Sequence, residues 1–228
     1  MQNRRRFLQT LGGTTAAAAA SAVPAAAAPL HATLREPATH PAPADGAFDV
    51  SWADRVTGKF RAVFDSPQLA EGSALFRAIL WCDEYKQVYG TPRTDMSPVV
   101  VFRHEAIPAV MGDEYWQRYK VGKETKMKDP GTKKWAVTNP WRVSPPGTPE
   151  QYAAYNIEAF LKSGGIILAC NLAFGEVVAT VMKAEKLDGK AARERAISML
   201  IPGVLLQPSG VFAALRAQEA GCRYILAS

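Results

Sequence analysis

The sequence predicts an α/β fold: a mostly parallel sheet of about five strands with helices on both faces, a three-layer sandwich. Three observations carry this. Short continuous apolar runs recur at residues 98–102, 166–169, 204–206 and 224–226, the pattern of strands buried on both faces of a parallel sheet. Stretches with apolar residues at helical spacing lie between the runs. Strand and helix thus alternate along the chain, and helix-covered parallel sheets have that order.

Each element has its own local reason. Residues 59–65 (KFRAVFD) read as the first strand, with Val63 and Phe64 as strand formers. Ser66-Pro67 turns the chain into a helix over 69–89. There Leu75, Ile79, Cys82 and Tyr85 form an apolar stripe, and Gly90 and Pro92 end it. Strands follow at 98–102 (PVVVF), at 166–169 (IILA, after Gly164-Gly165), at 204–206 and at 224–226, the last an edge strand. Helices fill 152–162, 172–186, 191–199 and 211–220. Right-handed crossovers are expected between the parallel strands.

Residues 112–150 interrupt the alternation. This insertion holds Tyr115, Trp116, Tyr119, Trp135 and Trp141 among eight Lys/Arg and five Asp/Glu, and five prolines deny it long elements. Irregular insertions of this length serve as lids, arms or binding loops; its aromatics can equally pack inward on the body. Both readings stand at this point.

The N-terminus reads as an address. Arg4-Arg5, a spacer, then Phe7-Leu8 precede a mildly apolar alanine-rich run too weak for a membrane span, and small residues up to Ala28 offer cleavage sites. The pattern resembles a twin-arginine (Tat) signal over residues 1–28, which implies a folded protein exported to the periplasm. Residues 29–58, rich in Pro and Ala, read as a linker, a poor setting for a functional role of His31 or His40.

Composition excludes several classes. The 228 residues are 48% hydrophobic and 21% charged, too polar for a multi-pass membrane protein and too varied for a fibrous one. Lys and Arg outnumber Asp and Glu by six, and Arg4, Arg5 and Arg6 supply three of these. The processed chain therefore gives no case for nucleic-acid binding and has no stable membrane span. Dinucleotide, P-loop, zinc-protease and nucleophile-elbow motifs are all missing, so no cofactor is indicated. With one histidine, His104, in the folded part and no paired cysteines, no metal site is indicated either.

Cys170 is the informative residue. It closes the run 166–169 and precedes Asn171 at the predicted start of a helix. Ligands of open α/β sheets bind at the carboxyl ends of strands, and a helix N-terminus favours thiolate. The alternative is an inert buried cysteine. Arg103 and His104 end the neighbouring apolar run and could favour a thiolate or a bound anion on the same rim. Asp65 and Glu105 share that rim with weaker claims. Cys82, on its helix's apolar stripe, reads as core. Three cysteines permit at most one disulfide and select none.

Residues 201–211 (IPGVLLQPSGV), with Leu215, Gln218, Gly221 and Tyr224-Ile225, resemble the end of DsrE/DsrF-like proteins. Residues 164–174 (GGIILACNLAF) and 99–104 (VVVFRH) resemble two further motifs of that family, and the likeness spans residues 59–228 outside the insertion. Independently of the family, Ser209 suits a helix cap and Gly210 a close turn. The resemblance implies a flavodoxin-like sandwich, homo-oligomers and, in some members, a sulfur-carrying cysteine, which Cys170 matches. The expected function is an exported protein that binds or relays a sulfur or thiol species through Cys170, with Arg103, His104 and Asn171 as binding residues. Its partner would be a sulfur-donor or sulfur-acceptor protein. The alternative is a non-catalytic periplasmic ligand-binding or oligomeric assembly protein of the same fold.

Overall fold

Five strands build one all-parallel sheet: β1 (Phe60–Ser66), β2 (Met96–Phe102), β3 (Ile166–Cys170), β4 (Leu205–Gln207) and β5 (Arg223–Leu226), in spatial order β4-β3-β2-β1-β5. The computed structural model describes residues 48–129 and 131–228. Residues 1–47, where the signal and most of the linker are expected and which include His31 and His40, lie outside them. The helices are α1 (Ser73–Tyr89), α2 (Asp113–Arg118), α3 (Val121–Glu124), α4 (Ile157–Lys162), α5 (Asn171–Glu185), α6 (Gly189–Ser198) and α7 (Gly210–Glu219). Helices cover both faces of the sheet, a flavodoxin-like three-layer sandwich.

Strand alternation divides the core in two. Ala62, Phe64, Val100, Phe102, Ile167 and Ala169 point to one face, against α1, α5 and the 3-10 segment His104–Val110. Val63, Val99, Val101, Ile166 and Leu168 point to the other, against Ala213 and Ala217 of α7. Both sides of β2 and β3 are buried, which is why these strands read as unbroken apolar runs.

The second face is completed by residues that composition assigns to the linker. Ser51–Arg55 forms a 3-10 turn, and Trp52, Ala53 and Val56 are buried against the sheet. Trp52 Nε1–H donates to Gln207 Oε1 at 3.0 Å, and Gln207 Nε2 donates to the Asp49 carbonyl at 2.7 Å. Burial of a whole indole outweighs the proline-rich surroundings. The described end of the 29–58 stretch thus belongs to the fold.

Part of the insertion packs inward. Tyr115 and Trp116 of α2 are buried in the first core, and Trp116 Nε1–H donates to the Pro108 carbonyl at 2.9 Å. Asn139 Nδ2 bridges the carbonyls of Ala109 and Met111, both at 2.7 Å. Gly122 admits the returning segment of the insertion, since a side chain there would overlap the Ala136 backbone.

Candidate functional site

The carboxyl ends of the strands open into a cavity of about 370 Å³ lined by Arg103, His104, Cys170, Leu172, Ala173, Glu176, Ser209, Gly210 and Val211. Strand register explains the grouping. Phe102 pairs with Ala169, so Arg103 and Cys170 are the next residues along adjacent strands.

Cys170 is 6% exposed. Its extended backbone makes it the N-cap of α5, and its Sγ accepts a hydrogen bond from the Ala173 N–H at 3.4 Å. A sulfur in that place stands in for the usual capping oxygen. The other free N–H groups of the first turn of α5 lie on the same end of the helix. The thiol therefore lies at the cavity wall with a donor already aimed at it.

A second helix begins at the same cavity. Ser209 caps α7 by accepting the Phe212 N–H at 3.0 Å, as its place before Gly210 predicts. Gly210 has a packing reason to be glycine: a Cβ there would stand 2.6 Å from Arg103 Cβ and 2.5 Å from its Cδ.

Arg103 is committed elsewhere than to the thiol. Its Nε and Nη2 donate to Asp65 Oδ1 and Oδ2 at 2.8 and 2.9 Å, and Tyr224 O–H donates to Asp65 Oδ2 at 2.6 Å. Asp65 is buried at the end of β1, where an unpaired carboxylate would be costly. The hydrogen bonds to Asp65 raise the Arg103 pKa, against the lowering by partial burial, and bonding to Asp65 likewise raises that of Tyr224. Arg103 thus walls the cavity with its charge balanced.

His104 lines the cavity from its exposed rim. Its φ of 51° is left-handed, a conformation that costs about 1 kcal/mol or more for a residue with a side chain. The strain accompanies the sharp turn from β2 into the following 3-10 segment.

Asn171 departs from its expected role. Its Oδ1 accepts from Arg193 Nη2 at 2.7 Å, which turns it toward α6, and it does not line the cavity. Glu105 is exposed and also off the cavity. Glu176, Leu172 and Ala173 are lining residues that sequence reading missed. Their spacing over the first turns of α5 is the signal that finds them, because residues three and four apart share a helix face. Tyr224 lies in the last strand run and the family-like ending, and its hydroxyl has no local signature that points to Asp65.

The three cysteines are free and buried. Burial pushes the Cys82 thiol up to about 11 and the Cys222 thiol up to about 12. Among the described residues, no group of three or more His, Cys, Asp and Glu is gathered to hold a metal ion. No helix among them is long and apolar enough to cross a membrane. No protein-family model matches the chain, and no curated protein matches it.

Proposed function

We propose that this chain is an exported DsrE-like protein that binds or relays a sulfur or thiol species through Cys170. The observation that carries the reading is a thiol capping α5 at the wall of a 370 Å³ cavity. In the relay, the Cys170 thiolate attacks the outer sulfur of a donor persulfide. The donor's S–S bond breaks, its thiolate leaves, and Cys170 holds the persulfide. An acceptor thiolate then attacks that outer sulfur and releases Cys170 as thiolate. The sulfur moves at constant oxidation state, so no external oxidant or reductant enters. Donor N–H groups at the start of α5 favour the anionic forms. Leu172 and Val211, 73% and 62% exposed, flank the cavity, and such apolar residues suit contact with a donor or acceptor protein.

The test is incubation of the folded protein with a low-molecular-weight persulfide, followed by mass spectrometry. The expected product carries one added sulfur at Cys170 and is missing from Cys170→Ala. Should Cys170 stay unmodified beside a normally reactive control thiol, the relay is refuted. The low exposure of Cys170 favours a second reading, a non-catalytic periplasmic binding or assembly protein. In that case Cys170→Ala leaves ligand binding or oligomerisation unchanged. Export is tested separately, by fractionating cells that express Arg4→Lys/Arg5→Lys; retention in the cytoplasm is the expected result.

A further inference from the structure

Residues 120–137 carry six lysines, no arginine and two acids, a net charge of +4. The described residues among them fold back: Ala136 N–H donates to the Met127 carbonyl at 3.0 Å, Asp129 N–H to the Lys134 carbonyl at 2.8 Å, and Lys128 faces Trp135 in an antiparallel bridge. Val121, Gly122 and Ala136 bury the root of this hairpin. Lys120, Lys123, Lys126, Lys128, Lys133 and Lys134 are all exposed, and no ion pair among the described residues holds any of them. Asp129 is turned onto its own loop, where Oδ1 accepts the Thr132 N–H at 2.6 Å. Among the lysines, Trp135 is 45% and Val137 58% exposed, and Lys128 Nζ lies 5.7 Å from the Trp135 ring.

A cationic surface of this kind attracts a polyanion, and its composition selects which. Protein interfaces are depleted in Lys and need a sizeable apolar centre, which Trp135 and Val137 do not supply. Binding of single-stranded nucleic acid draws on several stacking rings along a cationic groove; this hairpin has one exposed ring. Lysine clusters beside a tryptophan fit an anionic lipid surface, where the ammonium groups meet charged headgroups and the indole sits at their level. We propose that the hairpin docks the folded protein on an anionic membrane surface. The binding is peripheral.

The test is co-sedimentation of the full chain with phosphatidylcholine vesicles, alone or with phosphatidylglycerol in equal parts. Binding is expected only with phosphatidylglycerol and weakens with salt. Each lysine near such a surface is worth about fivefold in partitioning, so Lys133→Gln/Lys134→Gln lowers binding roughly 25-fold at an unchanged unfolding temperature. Trp135→Ala lowers it further and leaves the salt dependence as it was. Equal binding to both vesicles, or an unaltered Lys133→Gln/Lys134→Gln protein, overturns the proposal. So does tighter binding to polyglutamate or to a polynucleotide. A lipid preference abolished by Arg4→Gln/Arg5→Gln/Arg6→Gln, but not by the hairpin changes, overturns it as well.

Discussion

Gly210→Ala tests how the cavity wall is built. A methyl group at residue 210 would meet Arg103 Cβ at 2.6 Å, Cγ at 3.0 Å and Cδ at 2.5 Å. The extended backbone of Arg103 fixes its Cβ, so no rotamer clears that contact, and Cγ and Cδ move only with the side-chain torsions. The start of α7 must back away from Cβ, and Arg103 either holds its rotamer or also changes it to clear Cγ and Cδ, releasing Asp65. The first route is overpacking, which costs about 1–3 kcal/mol. The second forfeits charge-assisted hydrogen bonds of about 1.5–3 kcal/mol. Opposing both, alanine exceeds glycine in helix propensity by at most about 1 kcal/mol. The net is a loss of about 1–2 kcal/mol, or a Tm lowered by about 2–8 °C for a domain of this size. Thermal and urea unfolding of Gly210→Ala, Arg103→Gly and the double variant measure the coupling. With Arg103→Gly the obstructing atoms are gone, so alanine at residue 210 becomes neutral or stabilising. An equal loss in both backgrounds refutes the account.

Four further outcomes are expected. Iodoacetamide at about pH 8 modifies Cys170 ahead of Cys82 and Cys222, because burial holds the latter two protonated up to about 11 and about 12; peptide mapping showing all three labelled together contradicts this. Those raised thiols also make the folded state the stronger proton binder at high pH. Their stabilising contribution is therefore whole below about pH 9 and is lost as pH rises through about 11–12, with a slope of up to about 1.4 kcal/mol per pH unit for each thiol; urea titrations at successive alkaline pH values measure it, and a flat profile rejects it. Trp52→Phe leaves the buried Gln207 Oε1 without its donor and costs about 1–3 kcal/mol by denaturant unfolding, whereas no change in stability would return residues 51–56 to the role of a linker. His104→Gly relieves the left-handed backbone and holds or raises Tm, while His104→Ala lowers it by comparison; a Tm for His104→Gly below that of His104→Ala argues against strain at this turn.

What the sequence could tell was set by how local each cause is. Strands β2 and β3 were legible because burial on both faces forces unbroken apolar runs, and the Ser209 cap because its partner lies three residues away. Trp52 was hidden by its neighbourhood: Pro and Ala dominate residues 29–58, and the decisive contact, Gln207, lies 155 residues distant. The Asp65–Arg103–Tyr224 group was hidden for a similar reason. Each of its members looks like a polar residue at or beside the end of an apolar run, and only strand order brings them together. Because β1 lies between β2 and β5, its terminal carboxylate is within reach of residues from both. Had β5 returned beside β4, Asp65 would lack the Tyr224 hydroxyl, and Tyr224 would need another acceptor. Topology thereby sets the electrostatics of the candidate site. Asp65 takes up the Arg103 charge, so in the proposed relay the groups left to meet the Cys170 sulfur are the backbone N–H groups of α5, one of which already points at Sγ. A guanidinium-based mechanism would be salt-sensitive and would fail in Arg103→Gln. The backbone-based one keeps Cys170 reactive in that variant, and the Cys170 alkylation rate distinguishes the two.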